Sequence, residues 1–367
     1  MKQITLILLI SLTLFGCLSK NQNQNIDLKY KSYKPKEKSS FDSLSSELLD
    51  TLNRITMYEG MPFDKEYGRA NSNETYSVYY PYQYLIKNVD TNTLIDLTDY
   101  PHPLVRLYAF SALIERDSTK VFDIITKHFM DTCLVENHYA DMYSYNFVVD
   151  LMIYKGITKL NDVEKDSLID IIFFDYTFLN SYYYILPNLD PDEKYYKQIR
   201  KNAIRYFDEF SIIALSKYKK KQDIPIIKIG FKTNTFTKHN WHIGWLFKAI
   251  SNFPDKAFLN IVLDYPEFIF RKTNSIDTEF NYFYPALAKY KSKKSVSVFE
   301  ECINPKHYEN GKNGYWDDNK ARVLVAIEEN YDTVYFELRE RLRKEVSETN
   351  LNYAKRSMDY ETHSSWM

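Results

Sequence analysis

Glycine is scarce in this chain, with 8 in 367 residues, and proline is sparse at 12. Hairpin turns and phosphate-cradling loops both draw on glycine, so the sequence has little material for either. It contains no G-x-x-x-x-G-K-[ST], no G-x-G-x-x-G, no G-x-S-x-G and no H-E-x-x-H. Charge of one sign is also lacking. Lys plus Arg number 48 and Asp plus Glu 49, interspersed, for a formal charge of -1. A nucleic-acid partner calls for a basic face, so none is expected. The three cysteines have no metal-ligand spacing. What abounds is Tyr (33) and Phe (23), beside many Lys, Asn and Ile. An AT-rich coding sequence accounts for that bias without a special aromatic role.

The longest apolar run, Ile4 to Phe15, falls short of the ~20 residues a spanning helix needs. Lys2 before it and Gly16-Cys17 after it resemble a bacterial lipoprotein signal. The resemblance implies removal of residues 1–16 and lipid attachment at Cys17, with a diacylglycerol and usually an N-acyl chain. It also implies a cell-envelope location, the periplasmic face of the outer membrane above all. Residues 17–40 are rich in Lys, Asn, Gln and Ser without apolar periodicity, and are expected to form a flexible tether. In that compartment Cys133 and Cys302 face oxidising conditions.

Folded structure is expected from Phe41. Asp42 or Ser43 is a candidate cap for a helix carrying Leu44, Leu48, Leu52 and Ile55 on one stripe, and residues 60–75 read as a loop. This gives an N-terminal helical cap over 41–93. From about Tyr76 helices are expected almost to the end.

The strongest signal is internal repetition. Ala112-Leu113 recurs as Ala214-Leu215, Ala249-Ile250, Ala286-Leu287 and Ala326-Ile327, at successive gaps of 102, 35, 37 and 40 residues. The first gap is about three periods, so two degenerate units are expected around Leu151 and Leu186. In each unit a first helix ends on the small residue, a short polar turn follows, and a second helix returns. Val105, Ala109, Ala112 and Leu113 line one face of the best unit, and Val121, Ile124, Ile125 and Phe129 line its return helix, with Ser118 as a candidate cap. Asp223 with Pro225 marks another start. One hairpin cannot bury its faces alone, whereas stacked neighbours can.

The stretch Asp99-Tyr100-Pro101-His102-Pro103-Leu104-Val105-Arg106-Leu107-Tyr108-Ala109-Phe110-Ser111-Ala112-Leu113 resembles the HEAT-repeat pattern, a turn followed by V-R-x-x-A-x-x-A-L. Val105, Arg106, Ala109, Ala112 and Leu113 match it, and Pro285 is similar to the HEAT proline kink. The whole chain is similar to HEAT-repeat lipoproteins of the Bacteroidetes type. That implies an all-α fold, an α-solenoid of hairpins over 94–348. Agreement is strong over 94–130, weaker over 200–345, and lost over 133–200, where repeat count and register stay open; the polar stretch 131–141 reads as a long inter-repeat loop. Repeat-core positions are Val105, Arg106, Ala109, Ala112, Leu113, Ala214, Leu215, Ala249, Ala286, Leu287 and Ala326. A last stripe of Val334, Leu338, Leu342 and Val346 suits a terminal cap, and residues 349–367 read as a frayed tail.

Two clusters invite chemistry. His239 and His242 flank Trp241, but no cysteine or acid stands near, so interhelix packing is the simpler reading. Trp245 is expected in the stack. Asp131, Cys133, Glu136, His138 and Asp141 are dense and polar, yet fit no nucleophile or metal family. No histidine precedes a glutamate, which removes the iron-binding pattern of some HEAT-like enzymes. No cofactor is expected. The reading that follows is a membrane-anchored, non-enzymatic solenoid that binds another macromolecule, a protein above all. An α/α-fold enzyme acting on glycans or peptidoglycan, and a structural envelope component, are the alternatives. Cys133 and Cys302, about five units apart, are not expected to bond.

Overall fold

The computed structural model describes residues 33–57, 60–62, 79–139, 142–235, 241–272, 279–307 and 316–362. Helices dominate: eighteen α-helices and one three-stranded sheet occur among the described residues. The chain divides into two compact units, residues 1–182 and 183–367.

In the first unit, α1 (Ser46–Thr56) and α2 (Tyr79–Asn88) pack on each other, and α3 (Thr91–Leu97) leads into α4 (Pro103–Arg116). Ser45, rather than Asp42 or Ser43, caps α1 by accepting the Leu48 amide. α4 is the axis of the unit. It contacts α1, α2, α3, α5 (Val121–Lys127) and α6 (Val148–Gly156). Residues Leu104 to Leu113 of α4 are all buried, including the HEAT-like positions Val105, Arg106, Ala109, Ala112 and Leu113. Asp117, not Ser118, starts the return, accepting the Thr119 amide at 3.0 Å. The tight α6 contact depends on Gly156, whose added Cβ would lie 2.8 Å from both Ile125 and Val121 and 3.1 Å from Phe110. α7 (Asp162–Phe174) opens on a capping box between Asn161 and Glu164, and α8 begins at Asn180.

Three expectations are corrected here. Residues 134–139 and 142–147 are not a loop. Leu134–Tyr139 (β2) and Met142–Phe147 (β3) form an antiparallel hairpin, and β2 also pairs in parallel with Gly60–Pro62 (β1). The tether does not run free to residue 40. The Lys36 amide donates to Asp99 O at 2.8 Å, a 3-10 turn forms at Lys38–Phe41, and Phe41 is buried against Tyr100. The C-terminal stretch is helical over Glu348–Thr362 (α18), with Ala354 and Met358 buried.

In the second unit, α8 (Asn180–Ile185) ends and α9 (Glu193–Tyr206) precedes a run of hairpins. First helices are α10 (Glu209–Ser216), α12 (Trp241–Asn252), α14 (Glu279–Ala288) and α16 (Trp316–Glu329). Second helices are α11 (Ile224–Thr235), α13 (Leu259–Lys272), α15 (Lys293–Cys302) and α17 (Phe336–Glu345). Each first helix packs on the next: α10 on α12, α12 on α14, α14 on α16. α18 then covers α16 and α14, so α17 does not terminate the stack. Ala214, Leu215, Ala249, Ile250, Ala286, Leu287, Ala326 and Ile327 all lie in the interior. Pro285 sits inside α14. Small alanines at these positions let neighbouring helix axes approach closely, which is why the repeat keeps them.

The turns share a device that the sequence comparison of cores does not reveal. Asp117, Asp255 and Asp332 each accept an amide two residues on and open a 3-10 turn into α5, α13 and α17. A carboxylate satisfies an orphan amide and complements the positive helix start.

Candidate functional site

Two constellations stand out, one in each unit. The first is a buried charge network. Arg106 projects from α4 and is fully buried. Its Nε donates to Asp131 Oδ2 at 2.8 Å and its Nη2 to Asp131 Oδ1 at 2.9 Å. Its Nη1 donates to the carbonyls of Tyr100 and Pro101, both at 2.8 Å. The guanidinium is thus satisfied on three sides, as a buried charge requires. His128 lies between two carboxylates, with Nδ1 3.3 Å from Asp131 Oδ2 and Nε2 3.6 Å from Asp99 Oδ1. Asp99 is also held by Lys127 and accepts from the Tyr33 hydroxyl at 3.1 Å. The Tyr33 ring covers the group, 4.5 Å from the His128 ring and 5.5 Å from the Arg106 guanidinium carbon.

A histidine flanked by two acids suggests proton transfer. The burial argues against it, since Asp99 is 4% exposed and Asp131 1%. Both carboxylates are already committed to Arg106, Lys127 and Tyr33. The arrangement joins residues far apart in sequence and clamps the N-terminal arm to the α4–α5 hairpin. Burial pushes the Tyr33 phenol up, and the Asp99 carboxylate adds to it, so the phenol stays protonated and donates. Cys133 is a free, exposed thiol beside this network, and burial of its sulfur followed by the Asp131 charge raises its pKa. It is therefore a poor nucleophile at neutral pH.

The second constellation is a column of aromatic rings in the 183–367 unit. Tyr183 lies 6.0 Å from Phe210, Phe210 5.9 Å from Trp245, and Trp245 5.2 Å from Tyr282, centroid to centroid. Phe210, Trp245 and Tyr282 come from α10, α12 and α14, and each stands four residues before its repeat alanine, Ala214, Ala249 or Ala286. The helix spacing places ring above alanine on one face, and stacking of the helices aligns the rings. Tyr183 is 39% exposed, Phe210 and Trp245 are half-buried, and Tyr282 is buried. The Lys248 ammonium lies 5.9 Å from the Trp245 ring, at the edge of cation–π range. The column presents apolar area and π faces where its rings are exposed, and its rings carry no group suited to covalent chemistry.

The sequence-derived candidates fare differently. Trp245 does pack in the stack, but it retains a solvent-facing part. Asp131 belongs to the buried network, while Glu136 points from β2 to the Tyr145 hydroxyl, which donates at 3.0 Å. Sequence proximity of Asp131, Cys133 and Glu136 therefore does not make one site. Cys17, His239 and Asp141 fall outside the described residues, as do the side chains of His138, Trp241 and His242. Cys302 is a buried free thiol. No cluster of three or more His, Cys, Asp or Glu suited to a metal ion occurs among the described residues, and no helix there is long and apolar enough to cross a membrane. The network and the column were both missed from sequence. The column had a signal, the fixed offset from the repeat alanine. The network had none beyond the arginine of the HEAT-like motif.

Comparison with protein-family models, with curated proteins and with solved structures found no match.

Proposed function

We propose that this chain is a lipid-anchored α-solenoid of HEAT-like hairpins that binds another macromolecule, a protein, in the cell envelope. The observation that carries the reading is the aromatic column. Three successive first helices, α10, α12 and α14, place a ring at one register, and Tyr183 extends the column, which grades from exposed Tyr183 to buried Tyr282. Partly exposed aromatic residues are the side chains that dominate interface energetics. The succession of first helices α10, α12, α14 and α16, each on the next, supports the solenoid. The Gly16-Cys17 junction supports the anchor.

An envelope enzyme acting on glycans needs paired carboxylates open to substrate. Asp99 and Asp131, the acids that flank His128, are closed off and fully bonded, so binding is the better reading.

A photoreactive phenylalanine analogue placed at Trp245, with a control at exposed Ile229 on α11, tests the column in intact envelopes. Position 245 is expected to give a discrete protein adduct that position 229 lacks. Equal labelling at both, or none at 245, removes the column from consideration. Cys17→Ser is expected to move the chain out of the membrane fraction, and its retention there would refute the anchor.

A further inference from the structure

Two of the turns from first to second helices in the 183–367 unit are basic. Lys219 and Lys221 lie between α10 and α11, Lys289 and Lys291 lie between α14 and α15, and Lys293 and Lys294 open α15. All six are exposed, and none makes an ion pair with a described carboxylate. Exposed Lys256 stands on the intervening turn. Their neighbour Lys220 differs, being paired to Glu193 at 2.9 Å with its ammonium 3.5 Å over the Tyr196 ring.

Hydrogen bonds tie these turns into one edge. Asn252 Nδ2 donates to Ser216 Oγ at 3.2 Å, the Tyr290 hydroxyl to Asp255 O at 2.9 Å, and the Tyr335 hydroxyl to Ala288 O at 3.0 Å. The lysines thus belong to a continuous strip rather than to separate loops. Asp255 offsets Lys256 on the intervening turn, where it accepts the Ala257 amide, so the excess positive charge sits on the α10–α11 and α14–α15 turns; Asp190, Asp192 and Glu193 lie before them in the chain and Asp332 after. On a chain of net charge -1, this is a local basic patch.

A second observation concerns backbone conformation. Lys219 and Lys291 occupy equivalent positions, four residues after Leu215 and Leu287, and both are left-handed, with φ of 52° and 45°. Glycine is the residue that closes a helix in this way without strain. The chain carries an ammonium there in both copies, against the local backbone preference.

We propose that this edge docks on an anionic phospholipid surface, with headgroup phosphates as the ligand. Lysine suits that role as a strongly hydrated point charge that needs no fixed partner geometry. Half-buried Tyr218 and Tyr290 stand on the same turns, their hydroxyls bonded to Asp192 O and Asp255 O, and add partly exposed amphipathic rings of the kind found at membrane interfaces. The choice of lipid among polyanions rests on the anchor reading, since a chain tethered at Cys17 meets headgroups before any other polyanion. Each lysine near an anionic membrane strengthens binding about fivefold.

The full chain carrying Cys17→Ser, free of acylation, is sedimented with phosphatidylcholine vesicles and with vesicles that also contain phosphatidylglycerol. Binding is expected to require phosphatidylglycerol and to weaken with added salt. Lys289→Gln, Lys291→Gln, Lys293→Gln and Lys294→Gln together are expected to weaken it more than about tenfold. Lys228→Gln with Lys232→Gln, exposed on α11 away from the edge, is expected to leave it unchanged. Thermal melting of each variant reports that the fold is intact. Equal binding to both vesicles, or full retention by the fourfold variant, overturns the proposal. Equal competition by soluble polyglutamate also overturns it, assigning the edge to acidic protein instead. The assay uses unlipidated protein, so its failure is distinct from failure of the Cys17 anchor.

Discussion

A single residue type, lysine in a left-handed turn, sets two demands against each other. Lys219 and Lys291 adopt φ values that cost an L-residue about 1–2 kcal/mol relative to glycine. Lys291→Gly is therefore expected to stabilise the protein by about 1 kcal/mol, read as a raised denaturant midpoint with unchanged slope. The same variant is expected to bind phosphatidylglycerol vesicles more weakly. A midpoint that falls instead would show that the Lys291 side chain makes a stabilising contact. Arg106 presents the opposite case. It is buried, but its three sets of bonds to Asp131, Tyr100 and Pro101 leave no uncompensated donor face. A HEAT-like motif arginine thus serves here as an internal bracket, joining the start of α4 to the segment that leads into β2. Its motif position was legible. Its partner was not, because Asp131 lies 25 residues away and no local spacing connects them.

At the scale of elements, packing rather than propensity fixes the α4–α5–α6 cluster. Gly156 ends α6 where an added methyl would meet Ile125, Val121 and Phe110 together. Gly156→Ala gains some helix propensity, yet overpacking costs typically ~1–3 kcal/mol. A net loss of stability is expected in urea unfolding, and an unchanged or raised midpoint would mean that α6 can back away. The helical character was legible, and the Ala-Leu and Ala-Ile pairs mark buried positions on α4, α10, α12, α14 and α16. The β-hairpin was not read, although Tyr143, Tyr145 and Phe147 alternate with Ser144 and Asn146 at the period of a strand. The density of acids and histidine around it suggested a loop and obscured that alternation. α18 was missed for a related reason. Its buried positions, Ala354 and Met358, are few and lie among polar residues, so the apolar stripe is thin. The aromatic column became visible only when the repeats were aligned in space. Phe210, Trp245 and Tyr282 are unlike one another in sequence and equivalent only by their offset from an alanine, an offset Tyr183 does not share.

At the scale of the whole molecule, the N-terminal arm decides where the folded body begins. Tyr33 and Lys36 grip the α3–α4 region through Asp99 and Asp96, the latter at 2.8 Å from the Lys36 ammonium. These are individual contacts without periodicity, so a polar lysine-rich stretch gave no warning of them. Tyr33→Ala removes the ring that covers His128 and the hydroxyl bond to Asp99 together. Limited trypsin digestion is expected to cut at Lys36 and Lys38 faster in that variant than in the parent, while cleavage within α4 stays slow. Equal rates would show that Lys36 and Phe41 hold the arm without Tyr33. Under the proposed anchor at Cys17, docking of residues 33–40 cuts the stretch between anchor and body from 24 residues to 16, counting 17–40 against 17–32. For a flexible linker the effective concentration near its attachment point scales roughly as the −3/2 power of its length. On that proposal, eight docked residues would raise the encounter frequency with targets at a membrane by about twofold, without any added contact to those targets.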